Sequence, residues 1–278
     1  MRRAFTFTVT SISFLLLHLA CLAAFWVRPT WKLVALCAGL YLVRMFAVTA
    51  GYHRYFSHRT YKLGRAAQFV MAFLAQTSAQ KGVLWWSAHH RHHHRFSDTP
   101  KDLHSPVVDG FWWSHMGWIL SDAHDAYDSR SIEDFGKFPE LRFLDAHHWI
   151  CPWLLGTATF GFGLWTGIGG WSALLWGFVI STVLLWHGTF CINSLTHVWG
   201  TRRFETPDQS RNNFVLALIT LGEGWHNNHH HYQASCRQGI RWWEFDLTFY
   251  TLKALSWIRI VRDIRPFPAS ALAGSSKP

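Results

Sequence analysis

The stretch that decides the fold is LVALCAGLYLVRMFAVTAGYHRYFSH, residues 33–58, in which an apolar run leads directly into two histidines. The part from 33 to 52 carries one charged residue, Arg44, and supplies the roughly 20 residues that cross a bilayer as a helix. His53 and His58 follow at once. We therefore expect a transmembrane helix that presents two imidazoles at the membrane surface.

Three other segments are apolar enough for the same interpretation, namely residues 4–27, 149–167 and 171–195. With 33–52 they make two hairpins, and the short turns of these hairpins hold only Arg28 and Lys32 as basic residues. Cytoplasmic segments carry the excess of Lys and Arg in membrane proteins. We therefore expect both termini and both large polar regions, 53–148 and 198–268, on the cytoplasmic side.

The segment 66–80 is apolar but short, and glutamine, threonine and serine residues interrupt it. If it crossed the membrane, the histidines before and after it would face opposite sides, so we interpret it as an amphipathic helix in the interface. The predicted fold is all-α: four transmembrane helices under a cytosolic helical cap. It forms one domain over residues 1–268, and a disordered tail is expected at 269–278.

The composition fits a membrane base that carries a polar cap. Of 278 residues, 50% are hydrophobic and only 15% are charged, which argues against a soluble globule. The net charge of +10 is the usual mark of cytoplasmic anchoring, so we expect no nucleic-acid partner. Anionic headgroups, an anionic substrate or an acidic protein remain open as partners. The five scattered cysteines, without a CxxC pair, indicate neither a disulfide framework nor a thiolate metal site.

The 19 histidines are the unusual feature of this composition. They include an HxxxxH pair, a lone histidine after the last apolar segment and two HxxHH groups: His53 and His58; His197; His90, His93 and His94; His226, His229 and His230. In a helix, residues three and four apart share a face, so HxxHH can direct its first and last histidine, and often its second, at one centre. The predicted topology brings all four groups to one membrane face.

Neutral imidazole is a ligand for Zn, Cu, Fe and Ni, and carboxylates are scarce near these groups. A zinc site closes with about four ligands, so nine histidines fit two metals better. Two redox-active metals with open positions beside a membrane indicate iron-dependent oxygen chemistry on a lipid. A solvated metal-scavenging tract is the alternative for any single histidine.

Four motifs resemble the histidine boxes of membrane fatty-acyl desaturases, closest to the stearoyl-CoA (delta-9) branch: HRYFSH at 53–58, HRHHH at 90–94, NSLTH at 193–197 and GEGWHNNHH at 222–230. The resemblance runs from about Val34 to Pro268. It implies a mushroom-like fold with two irons. It also implies ten metal-site residues, the last of them acting through a water: His53, His58, His90, His93, His94, His197, His226, His229, His230 and Asn193.

The same resemblance implies that Gln80, Trp86 and Thr189 hold the kink in an acyl tunnel and so select the bond that is oxidised. The implied reaction is the O2-dependent insertion of a cis double bond, at delta-9, into a saturated C16 or C18 chain carried on CoA or on a lipid. Eukaryotic acyl-CoA members carry Arg-Asp before the second box, where this chain has Ala88 and His89, which weakens the case for CoA.

No haem motif or fused cytochrome b5 domain is present in the sequence, so we expect a separate electron donor of the ferredoxin or cytochrome b5 type. The small size without an N-terminal extension or a retrieval signal favours a bacterial inner membrane over the endoplasmic reticulum. Glu223, Asp98 and Asp102 lie near the boxes and are candidates to orient ligand imidazoles.

One stripe of the second span predicts the far end of the tunnel. Thr49, Met45 and Tyr41 recede from His53 in steps of four, and at 1.5 Å per residue Met45 lies about 12 Å and Tyr41 about 18 Å from it. The bulk of Met45 predicts a preference for C16 over C18. Arg44, a costly charge in a membrane, snorkels, pairs with another helix or positions substrate, and the sequence leaves these three roles open.

The remaining histidines are interpreted as structural. His18 and His187 lie inside spans and are expected to pack against or hydrogen-bond a neighbouring helix; His89, His92 and His231 flank the boxes; His104, His115, His124, His147 and His148 show no ligand spacing. Two other functions compete with desaturation. A hydroxylase of the same histidine-rich diiron class shares the first hydrogen abstraction, and a metal transporter or store would need ligands along a path through the membrane.

Overall fold

The computed structural model describes residues 6 and 8–272, and these residues are mostly helical. In chain order the helices are α1 (Val9–Phe25), α2 (Trp31–Ser57), α3 (Arg65–Gln76), α4 (Val83–Phe96), α5 (Pro106–Asp109), α6 (Glu133–Gly136), α7 (Pro139–Ala146), α8 (Ile150–Trp165), α9 (Gly170–His197), α10 (Phe214–Ile219), α11 (His226–His231), α12 (Leu247–Trp257) and α13 (Ala269–Leu272). Single turns at Trp113–Gly117, Asp122–His124 and Ser129–Ile132 complete the helical part.

Two short strands, β1 (Lys62–Leu63) and β2 (Val261–Arg262), pair antiparallel with Lys62 opposite Arg262. They join the chain just after α2 to the chain just after α12. The amide of Arg265 also donates to the carbonyl of Thr60 at 2.8 Å, so the C-terminal part of the chain runs along the segment that follows α2.

The long helices agree with the predicted apolar segments. Helices α2 and α9 are long and apolar enough to cross a membrane, whereas α1 and α8 are shorter apolar helices. Large apolar side chains stand on the outer surface of all these helices, such as Leu16 at 60% exposure and Trp165 at 83%. A continuous apolar exterior of this kind marks a surface that is covered by membrane or by another protein.

Helix α3 confirms a helix within 66–80, with different ends. Its 12 residues are too few to span a bilayer. One face buries Gln68, Met71 and Ala72, and the opposite face leaves Val70 half exposed. The amphipathic pattern therefore matches the expectation, and the location of this face in the membrane interface stays a prediction.

Arg44 joins two long helices. It is 1% exposed, and its guanidinium donates hydrogen bonds to Thr182 Oγ1 at 2.6 Å and to the hydroxyl of Ser181, both on α9. It also reaches the carbonyl of Thr77 at 3.4 Å, just beyond α3. The sequence left open whether Arg44 snorkels, pairs with another helix or positions substrate. The structure shows the contact with another helix.

Ala269–Leu272, predicted as the first part of a disordered tail, form the short helix α13. The carbonyl of Ala271 lies 2.9 Å from His231 Nε2, which ties this helix to α11. The rest of the predicted tail, 273–278, lies outside the described residues, as do residues 4, 5 and 7 of the predicted first span.

Candidate metal centre

A change of helix type in α2 determines where its two histidines point. From Ala47 to Ser57 this helix is a π-helix, with the amide of His58 hydrogen-bonded to the carbonyl of His53 at 3.2 Å. A π-helix closes hydrogen bonds between residues five apart, so residues i and i+5 lie on one face. The HxxxxH spacing therefore brings both imidazoles to the same side of α2.

The two HxxHH helices share their histidines between two groups. In α4, His90 and His94 lie one turn apart and face one group, whereas His93 faces the other. In α11 the outer pair, His226 and His230, faces the second group, and His229 faces the first. The prediction for the first and last histidine of each motif is confirmed, and the middle histidine of each motif crosses to the neighbouring group.

The five-histidine group consists of His53, His58, His90, His94 and His229, with ligand atoms within 4.8 Å of one another. Its Nε2 atoms face each other directly. His53 Nε2 lies 3.0 Å from that of His229, and His90 Nε2 lies 2.9 Å from those of both His58 and His94. Two helices and the π segment of α2 thus present five nitrogens to one small volume.

The four-histidine group consists of His93, His197, His226 and His230, and all four are buried. His197 and His226 approach with their Nε2 atoms 3.1 Å apart. The two groups are neighbours because His93–His94 and His229–His230 are consecutive pairs divided between them. The ring centroids of His94 and His230, one from each group, are 4.3 Å apart.

Four of these imidazoles contact a carboxylate through Nδ1, the ring nitrogen that is directed away from the group. The distances from Nδ1 to the nearest carboxylate oxygen are 2.5 Å for His53 and Glu223, 3.0 Å for His93 and Asp102, 2.8 Å for His197 and Asp98, and 2.7 Å for His230 and Asp208. A carboxylate that accepts from Nδ1–H fixes the tautomer and leaves Nε2 with its lone pair directed inward. The proposed contacts of Glu223, Asp98 and Asp102 are thus present.

Burial favours the neutral form of six of the nine histidines. Loss of hydration, followed by repulsion from neighbouring imidazoles, lowers the pKa of five of them well below the usual 6.5: His58, His90, His94, His226 and His229. Burial also lowers the pKa of His230, to about 4, against the opposing hydrogen bond to Asp208. His93 differs, because burial lowers its pKa but the contact with Asp102 outweighs this effect and raises the pKa. Neutral imidazole is the form that binds metal ions.

These groups fit metal ions by the chemistry of their donors. His53, whose Nδ1 contacts Glu223, directs its Nε2 toward that of His229 at 3.0 Å, a spacing at which two nitrogens can bind one cation. The Nε2 atom of His230 is buried without a hydrogen-bond partner among the described residues. Asn193, expected to act through a water, lines the cavity beside the groups, and its carbonyl accepts a hydrogen bond from Ser114 at 3.0 Å.

The sequence pattern gave no signal for several supporting residues. Asp208 lies in a loop far from every box, and no spacing rule relates it to His230. Arg54 stands inside the first box and is 1% exposed, where it pairs with Glu223 at 2.9 Å and with Asp246 at 2.9 Å. An arginine between two histidines of a box is a signal that could have identified this buried ion pair.

A cavity of about 730 Å³ extends from the histidines toward the apolar exterior. Gln80, Trp86 and Thr189 all line it, together with His90. Gln80 Nε2 donates to Thr189 Oγ1 at 3.1 Å, and Trp86 Nε1 donates to Gln80 Oε1 at 3.3 Å. The structure therefore brings the three expected kink residues into mutual contact at the wall of the cavity.

Tyr41, Met45 and Thr49, the predicted far end of the tunnel, are not among the described residues that line this cavity. Met45 is 1% exposed, Tyr41 donates to the carbonyl of Ile219 at 2.8 Å, and Thr49 contacts Thr248 at 2.8 Å. The helical spacing established that the three share a face. It did not establish which neighbours that face meets, and these are α10 and α12.

The other histidines fall into contacts of two kinds. His18 and His187 are hydrogen-bonded to each other across α1 and α9, with Nε2 atoms 3.0 Å apart, as predicted for helix–helix contacts. His115 extends this contact, at 2.9 Å from His187 Nδ1. His104, interpreted as structural, is buried beside His93 and Asp102, and the three could hold a metal ion together.

An apolar cavity that reaches the five-histidine group at His90, with the four-histidine group behind it, is typical of a helical oxidoreductase that acts on an apolar substrate. Residues 29–256 match the family model described as "Fatty acid desaturase". The chain therefore belongs to the fatty acid desaturase family, and it is an oxidoreductase of that class.

Curated relatives extend this similarity over nearly the whole chain. It is 36% identical to the "sn-1 stearoyl-lipid 9-desaturase" of Synechocystis sp., over 94% of this chain and 80% of that protein. It is 35% identical to "Delta-9 acyl-lipid desaturase 2" of Arabidopsis thaliana, over 92% and 81%. It is also 34% identical to the "Acyl-CoA C20 Delta5-desaturase" of Anemone leveillei, over 90% and 78%.

Proposed function

We propose that the protein is a membrane-embedded delta-9 desaturase that inserts a cis double bond into a saturated C16 or C18 acyl chain. The observation that carries this proposal is the convergence of nine histidine nitrogens, in groups of five and four, at one end of an apolar cavity. The names of the Synechocystis and Arabidopsis relatives support the position of the bond.

The nine histidines would hold two iron ions, and Asn193 would contact one of them through a water. Iron suits an imidazole-rich donor set with carboxylates behind it. When bound, the pair would reduce O2 with two electrons and two protons while one hydrogen leaves each of two adjacent methylenes, which yields the alkene and two waters. The chain itself supplies the orientation of the ligands and the position of the acyl chain.

The shape of the cavity has to determine the position of the acyl chain, because methylenes carry no polar group that the protein could bind. Gln80, Trp86 and Thr189 form a hydrogen-bonded ridge in its wall, next to His90. An alkyl chain that bends over this ridge presents one carbon pair to the histidine groups. We assign the choice of the bond to these three residues.

We propose a lipid rather than CoA as the acyl carrier. The cavity opens among side chains that are largely exposed on the apolar exterior, including Leu16 at 60% and Trp153 at 71%. An acyl chain that remains in the bilayer can enter there sideways. Ala88 and His89 stand where acyl-CoA enzymes of eukaryotes carry a charged pair, which points the same way.

The proposed topology has four membrane crossings, α1, α2, α8 and α9, with α3 in the interface and both termini in the cytoplasm. We place the protein in a bacterial inner membrane. Electrons would come from a separate acidic donor of the ferredoxin or cytochrome b5 type, since the net charge of +10 favours a negatively charged partner.

The test is expression in a host without delta-9 monoenes, with a ferredoxin or a cytochrome b5 co-expressed, followed by gas chromatography with mass spectrometry of total and lipid-class fatty acids. We expect a new cis-9 monoene, first in glycerolipids, that is absent from a His93→Ala control. A hydroxylated chain in place of the alkene would contradict desaturation. A monoene that appears first in the acyl-CoA pool would contradict the lipid carrier.

A further inference from the structure

The connector between α3 and α4, residues 77–82, carries Gln80 in an unusual backbone conformation. The residues on both sides of Gln80 have positive φ angles, 56° at Ala79 and 64° at Lys81. Residues other than glycine rarely adopt positive φ angles, and they keep this conformation only where neighbouring parts of the structure stabilise it. The connector therefore has a shape that its own sequence does not favour, and other parts of the fold have to maintain it.

Side chains from the two long helices stabilise the connector by donating hydrogen bonds to its backbone carbonyls. Tyr52 Oη, on α2, donates to the carbonyl of Lys81 at 2.8 Å. Trp186 Nε1, on α9, donates to the carbonyl of Ser78 at 2.8 Å. Arg44, also on α2, approaches the carbonyl of Thr77 at 3.4 Å. All three donor residues are buried.

The ends of the connector are closed as well. Gln76 Oε1 accepts a hydrogen bond from the amide of Val83 at 3.0 Å, which joins the last turn of α3 to the first turn of α4. Asp145 caps α4 by accepting from the amides of Leu84 and Trp85 at 2.8 and 3.0 Å. Gln80 thus projects from a short loop that hydrogen bonds fix at both ends and at three backbone carbonyls.

We propose that Tyr52, Trp186 and Arg44 are positioning residues for the regioselectivity of the reaction, acting on Gln80 through the connector backbone. This inference rests on the proposed function. A shift of the connector moves Gln80 relative to Thr189 and Trp86, and so moves the ridge along the acyl chain. The carbon pair that meets the histidine groups then changes, while the groups themselves stay in place.

Tyr52 gives the sharpest test because its ring and its hydroxyl have separate contacts. The ring stacks on Trp86 with centroids 5.2 Å apart, and Tyr52→Phe retains this contact. The substitution removes the hydroxyl's hydrogen bond to the carbonyl of Lys81 and its hydrogen bond with the side chain of Ser78, both of which lie in the connector. Tyr61→Phe is a matched control, since Tyr61 is equally buried and donates to a backbone carbonyl at the same distance of 2.8 Å, that of Ala50 in α2.

The experiment measures the positions of the double bonds in the monoenes of both variants, by mass spectrometry of dimethyl disulfide adducts, and the thermal stability of both purified proteins. We expect Tyr52→Phe to raise the fraction of misplaced double bonds about fivefold, which corresponds to about 1 kcal/mol. The wild-type distribution should remain in Tyr61→Phe, and both variants should lose similar thermal stability.

Trp186→Phe and Trp176→Phe add a second comparison on α9, where Trp176 Nε1 donates to the carbonyl of Val27 instead of the connector. Trp186 also lines the cavity, so its variant changes the cavity wall as well as the hydrogen bond to Ser78, and the Tyr52 comparison decides. We expect misplaced bonds in the Trp186 variant only. An unchanged distribution in Tyr52→Phe, whether its total monoene stays or falls, would overturn this inference and leave the proposed function intact. A wild-type protein that makes no monoene would overturn both.

Discussion

The two histidine groups are built from the same two helices, yet their surroundings differ. In the four-histidine group, three of the four imidazoles contact an aspartate through Nδ1. In the five-histidine group His53 alone has a carboxylate partner among the described residues, Glu223, and Arg54 pairs with that carboxylate at 2.9 Å. The Nδ1 atoms of His94 and His229 have no hydrogen-bond partner among the described residues.

The difference shows two ways to stabilise a buried cation. The five-histidine group relies on the number of its nitrogens, while the four-histidine group adds three negative charges behind fewer nitrogens. A carboxylate behind an imidazole fixes its orientation and increases its basicity. We therefore expect the four-histidine group to depend more strongly on each of its members, and the three predictions below test this difference.

The largest effect should follow the loss of one nitrogen from either group. His226→Ala leaves three histidines in the four-histidine group, and His58→Ala leaves four in the other. We expect both variants to lose desaturation by about 100-fold or more, since outer partners of metal ligands alone are worth 10–100-fold. Iron content per chain, measured by plasma mass spectrometry, should fall further in His226→Ala. Equal iron loss in the two variants would remove the proposed distinction between the groups.

A smaller effect should follow the loss of a carboxylate charge. Asp208→Asn keeps the shape of the side chain that contacts His230, and we expect metal binding in that group to weaken about 10–100-fold. Glu223→Gln should cost less, because Arg54 already offsets the charge of Glu223. Competition with a chelator measures both. Glu140→Gln, which alters an exposed pair with Arg65 outside the histidine boxes, is the control and should leave iron binding unchanged.

The smallest effect should appear as a slope of stability against pH in the metal-free protein. Burial lowers the pKa of His230 to about 4 in the folded chain, against 6.5 when unfolded. Between these values the unfolded chain binds more protons, so stability falls as the pH falls, by about 1.4 kcal/mol per pH unit for one such histidine. Thermal unfolding with a chelator from pH 7.5 to 4.5 measures this slope.

Iron should increase the stability and extend the same slope to lower pH, because a bound cation keeps protons off these nitrogens in the folded chain, whereas unfolding releases the nitrogens to bind protons. The five-histidine group should contribute most of it, since four of its members have a pKa well below the usual value, namely His58, His90, His94 and His229. A metal-free protein whose unfolding temperature is constant over this range would contradict the assignment of neutral, buried imidazoles.

The residues that could be predicted from sequence are those with a repeated spacing. The HxxHH groups identified six histidines, and the order of the boxes implied the other three and the set of Gln80, Trp86 and Thr189. Local helical geometry limits where such side chains can point, and so the pattern carries information about the site. The long apolar helices were predictable for the same reason, since hydropathy is a property of the local sequence.

The predictions from sequence stopped short where the answer depended on which other segment of the chain packs against a residue. The stripe of Tyr41, Met45 and Thr49 was a real face of α2, but α10 and α12 cover it, and no local signal described their positions. Asp208 was missed because a loop brings it to His230 from 22 positions away in the sequence. The π-helix from Ala47 was missed too, although it is what aligns His53 with His58.

The sequence by itself determined the helical class, the apolar base, and the identity and number of the histidines, because these depend on composition and on spacing along one chain. The tertiary structure alone decided how nine histidines divide into five and four, which carboxylate stands behind each, and where the cavity runs. Those features depend on distances between separate helices. Such distances follow from the packing of the whole chain, which no single segment encodes.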